Sequence, residues 1–320
     1  MKIFLSGGTG FIGSHIARIL FREGHEVHAL IKPNTDLSRI QDLAPSVHLI
    51  HADLEDHDKV KSELKNIKPD AALHLAWTTN PENYWKTPEN LTLLQNSIEL
   101  AKILADSGCK KIITTGTCFE YDTTLGILSE SSPIKPKSLY AACKHALYLA
   151  LDQFCKQQEI QFVWPRFFYL YGPHEHKKRF VPNLILSLLE GKEIFNPPGV
   201  LIRDYLHVED AAAAVCALTS SSLSGPVNIG SGTPVHIRDL MEITAKILET
   251  LNLKKDKNLN LKKLINFKNH PVCLDDPILI LADNRRLVEN TSWKPEYDLA
   301  KGIEQTIQWW SQQVESARRV

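Results

Sequence analysis

Residues 2–13 read KIFLSGGTGFIG, and the stretch SHIARILFREG follows them directly. The apolar run before the glycines predicts a strand, and the i, i+3, i+4 spacing of apolar residues after Gly13 predicts a helix. In such a strand–turn–helix unit Gly7 permits the tight turn, Gly10 lets the backbone approach a pyrophosphate, and Gly13 lets the helix pack closely on the sheet. The stretch therefore predicts a dinucleotide site at the helix N-terminus, where the dipole is positive. The other loop residues assigned to this site are Thr9, Phe11 and Ile12.

Short apolar runs alternate with helical patterns as far as about residue 170. This alternation predicts a parallel sheet with right-handed crossovers, which is a doubly wound α/β fold of the Rossmann type. The regularity falls after residues 171–173, so we expect a smaller mixed α/β C-terminal lobe that binds the substrate. We assign residues 1–170 and about 205–230 to the dinucleotide-binding domain, and residues 171–204 and 231–320 to this lobe. Helices are predicted over residues 56–65, 89–107, 139–156 and 181–189, with another capped near Glu209 or Asp210.

The composition excludes several classes of protein. Lys plus Arg and Asp plus Glu number 37 each among the 320 residues, so no net field favours nucleic acid or an anionic membrane. The six cysteines have no CxxC spacing, which argues against a zinc site or a disulfide framework. No apolar run approaches the ~18 residues of a membrane span. His174 and His176 have metal-like spacing without a third ligand, so we expect a solvated loop there. A cytoplasmic protein without a metal is expected.

The end of the predicted second strand bears on the choice of cofactor. A protein that prefers NAD usually has an acidic residue there for the ribose hydroxyls. This chain has Lys32 instead, with Arg39 a few residues later. A cation suits a 2′-phosphate, so NADP(H) is favoured and NAD(H) remains possible; the alternative is that Lys32 is an ordinary loop lysine. Asp53, after the third strand, is either a contact of the adenine amine or a loop aspartate.

Tyr140 and Lys144 are four residues apart in a predicted helix, LYAACKHALYLALDQF, so both side chains lie on one face. A cation beside a phenol favours the phenolate and lowers the phenol pKa, which suits a tyrosine that exchanges a proton with a carbonyl or alcohol. Thr117 follows the strand KKIITTG, where its hydroxyl could orient the reacting oxygen. Thr115 is the alternative for that role, and a helix cap is the alternative role for Thr117. Cys118 could line the pocket, although a small buried cysteine is more common.

These motifs together resemble the extended short-chain dehydrogenase/reductases that act as nucleotide-sugar epimerases, dehydratases and reductases. The resemblance spans nearly the whole chain and includes GGTGFIG, HADL, HLAW, YAACK, RFFYLYGP, RDYLHVEDAA, VNIGSG and SWKPEYDLAKGIEQTIQWW. It implies that Tyr140 is the acid/base, that Lys144 holds the nicotinamide ribose, and that Thr117 takes the catalytic Ser/Thr position. It further implies cofactor contacts for Gly7, Gly10, Gly13, Asp53, Leu54, Ala76 and Phe168. The substrate contacts that we assign are Thr117, Cys118, Tyr169, Arg179 and Arg203.

The chain departs from the family pattern at three places. The 4,6-dehydratases carry Asp-Glu directly after the catalytic threonine, and this chain has Cys118 and Phe119, which argues against a dehydratase. Tyr169 replaces a common substrate-binding asparagine. Residues 273–277 read CLDDP where many members have an arginine for the pyrophosphate, so a second such arginine is either absent or supplied elsewhere, with Arg179 or the Lys-rich stretch 252–270 as the candidates.

Three functions follow as hypotheses. The first is an NADP-dependent reductase that acts on the 4-keto group of a nucleotide sugar, most simply a 6-deoxy sugar. The second is a nucleotide-sugar 4-epimerase with tightly bound NAD, which uses the same three residues. The third, remote because Tyr140 and Lys144 are both present, is a non-catalytic dinucleotide sensor. A homodimer is expected through the helix after Asn90 and the helix of Tyr140, with core packing as the alternative use of the same apolar residues.

Overall fold

The structure, a computed structural model, describes residues 1–195, 199–253, 259–266 and 276–319. The strands in these ranges are β1 (Lys2–Ser6), β2 (Glu26–Ile31), β3 (His48–His51), β4 (Ala71–His74), β5 (Lys111–Thr114), β6 (Gly116–Thr117), β7 (Ile127–Leu128), β8 (Gln161–Phe167), β9 (Tyr169–Tyr171), β10 (Ile194–Phe195), β11 (Ile202–His207), β12 (Gly225–Ile229), β13 (Pro234–His236), β14 (Ile265–Asn266) and β15 (Leu279–Ala282). The α-helices are α1 (Phe11–Arg22), α2 (His57–Ile67), α3 (Glu89–Asp106), α4 (Leu139–Gln157), α5 (Phe180–Glu190), α6 (Val208–Ser220), α7 (Ile237–Thr250), α8 (Arg285–Asn290) and α9 (Leu299–Arg319).

The central sheet is parallel and doubly wound, as predicted. Its strand order is β12-β8-β5-β4-β1-β2-β3, with β6 paired to β8. The chain winds outward in one direction from β1 to β3 and in the other from β4, so the order reverses between β1 and β4. Ligands of open α/β sheets bind at such a switch point, outside the carboxyl ends of the strands. The glycine loop follows β1 at this point.

Two apolar layers cover the sheet. Helices α1 and α6 pack on one face around Ile16, Leu20 and Val215, and α2, α3 and α4 pack on the other around Leu64, Leu104 and Leu147. The inner strands β1, β4, β5 and β8 are therefore buried on both sides, which explains their continuous apolar runs, whereas β3 at the edge exposes His48 and His51. This burial holds the carboxyl ends of β1, β4 and β6 in place relative to α1, α3 and α4, the α-helices that follow them in the chain.

A second, smaller sheet has the order β13-β11-β15-β7, and β9 pairs with β11. Its helical layer is formed by α5, α7 and α9 around Leu184, Leu240 and Ile307. Strands β6, β8 and β12 remain in the central sheet, whereas β7 (Ile127–Leu128) pairs with β15 although it lies in the range 1–170 that we assigned to the first domain. The domain boundaries themselves stay a prediction.

The helix bounds follow the sequence pattern closely, with one correction. The cap of α6 is His207 and neither Glu209 nor Asp210: its imidazole accepts a hydrogen bond from the Glu209 amide at 3.3 Å, and the helix begins at Val208. Within the Lys-rich stretch 252–270, residues 259–266 contain a short 3₁₀ turn and β14, and residues 254–258 and 267–270 lie outside the described ranges. Residues 273–275 of the CLDDP stretch and the prolines at 197 and 198 also lie outside them.

Helices long and apolar enough to cross a membrane are absent from the described ranges.

The two sheets are joined by a buried carboxylate, Asp204 on β11. Its oxygens accept hydrogen bonds from the backbone amides of Ser231 at 2.6 Å, Gly232 at 3.0 Å and Ala282 at 3.0 Å.

We expect Asp204→Asn to lower the free energy of unfolding by about 2 kcal/mol, because an amide nitrogen would face N–H donors. Urea denaturation measures this loss. Ser231→Ala is the control, since it removes the hydroxyl bond at 2.8 Å to the same carboxylate, together with the hydroxyl's bonds to the Thr233 backbone, and leaves the charge and the three amide bonds of Asp204. Equal loss in both variants would contradict the prediction.

Candidate active site

The glycine loop forms a cradle that only glycine allows. Gly7 has φ +76°, and a Cβ there would lie 2.7 Å from the Ala76 amide nitrogen. A Cβ on Gly13 would collide with the Gly7 carbonyl oxygen, and one on Gly10 would lie 3.1 Å from it. Helix α1 starts directly after Gly10, which has no side chain to cap the helix, so the first amides of α1 point out of the loop. These features fit the pyrophosphate of a dinucleotide.

A cavity of about 1060 Å³ runs from this loop to the second lobe. It is long enough to join the start of α1, the end of β6, the start of α4 and strand β11. The residues predicted for cofactor and substrate that line it are Gly7, Thr9, Gly10, Phe11, Ile12, Gly13, Lys32, Asp53, Leu54, Ala76, Thr117, Tyr140, Lys144, Phe168, Tyr169, Arg179 and Arg203.

Cys118 does not line this cavity, so its assignment to the substrate is corrected. Its side chain is 1% exposed and packs with Tyr121, Leu128 and Phe168. Burial raises the pKa of the Cys118 thiol. The residue turns inward because it opens the 3₁₀ turn Cys118–Glu120 directly after β6. It is the small buried cysteine of the alternative interpretation.

One end of the cavity lies beyond β2 and carries two cations. Lys32 is 71% exposed and forms an ion pair with Asp53 at 2.9 Å. Arg39 donates to the Thr9 carbonyl at 3.4 Å and to the His174 carbonyl at 3.1 Å, which brings its guanidinium beside the glycine loop. Burial opposes ionisation of Asp53, but the bond from Lys32 holds the Asp53 pKa below its ordinary value.

The catalytic candidates meet at the other end of the loop. Helix α4 begins at Leu139 because the Ser138 hydroxyl accepts from the Ala141 amide at 3.2 Å. Tyr140 is 9% exposed and Lys144 2% exposed. The Lys144 ammonium donates to the Thr115 carbonyl at 2.9 Å and lies 3.8 Å from the centroid of the Trp77 ring. The structure thus brings Lys144 and Tyr140 to the end of β6.

Thr115 and Thr117, the two candidates for the catalytic threonine, have different contacts. Thr115 contributes its backbone carbonyl to Lys144. The hydroxyl of Thr117 accepts from the Phe119 amide at 3.4 Å and also bonds with Tyr140. Thr117 therefore caps the short 3₁₀ turn and also faces the phenol.

The sequence predicted that Lys144 lowers the pKa of the Tyr140 phenol, and for the polypeptide without a cofactor this prediction was wrong. Burial, together with Tyr84 and Glu120, raises the pKa of the Tyr140 phenol, and this outweighs the bond with Thr117. Burial also lowers the pKa of Lys144 to about 7, although the charge of Glu120 opposes that shift. Desolvation disfavours the charged form of both groups. The spacing of the two residues did not reveal how deeply the fold buries them.

Sequence reasoning missed an aromatic wall around Tyr140. The rings of Tyr84, Trp85 and Trp77 lie 5.1, 5.7 and 6.5 Å from the Tyr140 ring, centroid to centroid. Phe119 packs edge-on against Trp85 at 4.7 Å. The three aromatics of the wall fall in one stretch, WTTNPENYW, after β4, and that density of rings beyond a strand end was the available signal.

Both predicted arginines sit on the cavity wall. Arg179 donates to the Thr79 carbonyl at 3.1 Å and lies 4.8 Å from the Tyr84 ring. Arg203 is nearly buried and forms an ion pair with Asp276 at 2.7 Å, and its guanidinium lies 5.6 Å from the Tyr169 ring. The wall therefore offers two guanidinium groups, which suit an anionic ligand such as a pyrophosphate.

Comparison with known proteins decides the family. The model of the NAD dependent epimerase/dehydratase family matches residues 3–230, which include the glycine loop, Thr117, Tyr140 and Lys144. The chain belongs to this family. The match confirms the predicted resemblance, the fold class and the prediction of an enzyme.

The relatives in this family carry out different reactions. The chain is 26% identical over 329 residues to UDP-glucuronic acid decarboxylase 1 of Danio rerio, covering 98% of this chain and 73% of the relative. It is 24% identical over 248 residues to dTDP-6-deoxy-L-talose 4-dehydrogenase (NAD(+)) of Aggregatibacter actinomycetemcomitans, covering 76% and 88%. The structure of UDP-glucose 4-epimerase from Thermotoga maritima with UDP-glucose superposes with a TM-score of 0.82 at 20% identity, covering 98% of this chain and 100% of that one.

The contacts of the loop predict that Gly13 and Gly10 respond differently to a methyl group. We expect Gly13→Ala to lower the free energy of unfolding by about 1–3 kcal/mol, because the added Cβ meets a backbone carbonyl that cannot move freely. Gly10→Ala should cost less, about 0.5–1 kcal/mol, because its Cβ would lie 3.1 Å from the same oxygen, and it should still weaken dinucleotide binding. Thermal denaturation and fluorescence titration with a reduced dinucleotide measure the two effects. A stable Gly13→Ala variant with native affinity would contradict the cradle.

Proposed function

We propose that this protein is an NAD(P)-dependent oxidoreductase that reduces the 4-keto group of a nucleotide sugar, with a 6-deoxy sugar as the preferred substrate. The observation that carries the proposal is the buried phenol of Tyr140. Burial keeps its pKa above the ordinary value, so the phenol is protonated at neutral pH and ready to donate. Such a donor can protonate the oxygen of a carbonyl that is being reduced.

The chain's own groups then have defined tasks. A bound nicotinamide supplies the hydride. Tyr140 delivers a proton to the carbonyl oxygen, and the Thr117 hydroxyl bonds that oxygen. Lys144 contacts the cofactor ribose and, as a cation, stabilises the tyrosinate left after the proton is transferred. The aromatic wall of Trp77, Tyr84 and Trp85 excludes water from these groups, which strengthens each polar contact.

The residues after Thr117 support reduction over dehydration. An elimination needs an acid and a base beside the sugar. Cys118 is buried with a raised pKa, and Phe119 contributes only an apolar ring to the cavity. The similarity to a 4-dehydrogenase for a 6-deoxy-L-talose nucleotide points to the same carbon and the same sugar class.

The cations at the two ends of the cavity suggest what each end binds. Lys32 and Arg39 beyond β2 favour NADP(H) over NAD(H), because a 2′-phosphate needs a cation where an acid would repel it. Arg179 and Arg203 are proposed to hold the pyrophosphate of the sugar nucleotide. The remaining predicted contacts, Asp53, Leu54, Ala76 and Phe168 for the cofactor and Tyr169 for the sugar, are proposed on their positions in the cavity wall.

A second candidate is a nucleotide-sugar 4-epimerase. The structural likeness to the UDP-glucose 4-epimerase favours it, and Thr117, Tyr140 and Lys144 serve that reaction equally. The two differ in what happens to the cofactor: an epimerase returns the hydride and keeps the dinucleotide bound. Purified protein that retains NAD(H) and shows no net redox turnover would favour the epimerase.

We also propose a homodimer through α3 and α4. Leu91 on α3 and Leu149 on α4 are 54% and 55% exposed, so each helix presents a large apolar side chain to solvent. A second copy that packs these helices into a four-helix interface would bury both. Light scattering with Leu149→Lys tests this arrangement.

The reductase is tested with purified protein, NADPH and a panel of 4-keto-6-deoxy nucleotide sugars. Absorbance at the band of the reduced cofactor should fall, and Tyr140→Phe should lower kcat by about 10²–10⁴-fold without weakening cofactor binding, because only the proton donor is lost. Thermal shifts with UDP, GDP, CDP and dTDP select the nucleotide to use. If no nucleotide sugar of the panel oxidises NADPH, the proposal is wrong.

The cofactor preference is tested at Lys32. We expect Lys32→Ala to weaken NADPH binding about tenfold and NADH binding much less, because only NADPH loses the 2′-phosphate contact, whereas loss of the ion pair with Asp53 affects both cofactors. Lys65→Ala, on the exposed face of α2, is the matched control. Fluorescence titration gives both affinities. A wild-type protein that binds NADH more tightly than NADPH would overturn the preference.

A further inference from the structure

Glu120 is a fully buried carboxylate directly below the catalytic candidates. Its Oε1 accepts from the Thr117 amide and from the Trp164 indole, both at 2.9 Å. Its Oε2 accepts from Arg166 at 3.0 Å and faces Nδ1 of His145 at 3.4 Å. Burial opposes its ionisation, but these donors and the charge of Arg166 hold the Glu120 pKa below its ordinary value. The side chain is therefore an anion inside the protein.

The partners of Glu120 belong to every segment that carries a catalytic candidate. Thr117 is at the end of β6. His145 is on α4, next to Lys144. Trp164 and Arg166 are on β8, the strand that pairs with β6. One carboxylate thus connects Thr117 and helix α4 to strand β8 of the central sheet.

The packing around this carboxylate leaves little room for adjustment. A Cβ on Gly116 would collide with both Glu120 Oε1 and Trp164 Nε1. On its other side, the Arg166 guanidinium lies 4.5 Å from the Tyr121 ring and 5.4 Å from the Tyr148 ring. The position of Glu120 is consequently fixed from both sides.

The charge of Glu120 acts on the same groups. It raises the pKa of Lys144, against the effect of burial, and it raises the pKa of Tyr140. The other groups that face Lys144 are the Thr115 carbonyl, the Trp77 ring and the buried His74 of β4, whose pKa burial lowers to about 3. His74 is therefore neutral near pH 7, which leaves Glu120 as the anion that acts on Lys144.

We propose that Glu120 is a positioning residue of the reaction, which holds Thr117 and α4 at a fixed separation and supplies the negative charge that acts on Lys144. Glu120 is not part of the cavity wall, so it cannot serve as the acid or base of an elimination. The proposal rests on the proposed function only for the roles of Thr117, Tyr140 and Lys144.

The test is Glu120→Gln, which keeps the shape and removes the charge. Without the anion, the pKa values of Lys144 and Tyr140 both fall, so each group loses its proton at a lower pH. The site needs Lys144 as a cation and Tyr140 as a protonated phenol. We expect the alkaline limb of kcat/KM to move down by about one pH unit, and kcat to fall between about tenfold and a hundredfold, with KM for the nucleotide sugar little changed. Trp164→Phe is the matched control, since it removes one bond to the same carboxylate and leaves its charge.

A second readout needs no substrate. The affinity for the reduced dinucleotide is titrated by fluorescence across pH, and Lys144→Met identifies the step that belongs to Lys144. In Glu120→Gln that step should move to lower pH, and in Trp164→Phe it should stay in place. A failed search for a nucleotide sugar would refute the proposed function and leave this measurement intact.

Glu120→Gln leaves Arg166 as a lone buried cation, which is costly for folding. If that variant does not fold, Glu120→Gln combined with Arg166→Met removes both charges and is titrated in the same way. A pH profile and an affinity step that coincide with those of the wild-type protein, in whichever of these variants folds, would overturn the proposal.

Discussion

The close approach of two turns at the switch point of the sheet governs the whole site. The turn after β1 passes so near the segment after β4 that no side chain fits between Gly7 and Ala76. Because of that contact, α1 starts directly above the crevice, and its amides face the space in which a dinucleotide would lie. The rest of the cavity is built outward from this point, with two cations beyond β2 on one side and the catalytic helix on the other.

Burial is the second constraint, and it acts on charge. Tyr140, Lys144 and Glu120 are all removed from water, so each charge in the site is stabilised by a few fixed partners and not by solvent. Charges in such a buried site interact more strongly than they would in water, because the effective dielectric is low. The same burial that raises the pKa of the phenol also surrounds Glu120, a carboxylate outside the cavity wall whose charge acts on Tyr140 and Lys144.

The parts of the fold with local signals were predictable. The glycine loop, the alternation of strands and helices and the pairing of Tyr140 with Lys144 all appear within short stretches of sequence. The site of Cys118 and the direction of the Tyr140 pKa were not, because both depend on how deeply neighbouring elements bury a side chain. Glu120 gave no signal either, since a single acidic residue becomes informative only when β6, α4 and β8 meet around it.

The pairing of β7 with β15 has a consequence for how the enzyme is made. Residues 127–128 lie between Thr117 and Tyr140 in the chain, yet their hydrogen-bonding strand is residues 279–282. The chain emerges from the ribosome N-terminus first, so the strands β1 to β5 precede this partner strand, but Leu287 and Trp293 complete the layer of α1 and α6 only after it. The segment that separates the two catalytic candidates reaches its final pairing only when nearly the whole chain has emerged. The site therefore depends on the C-terminal part of the chain, although Thr117, Tyr140 and Lys144 all lie in its first half.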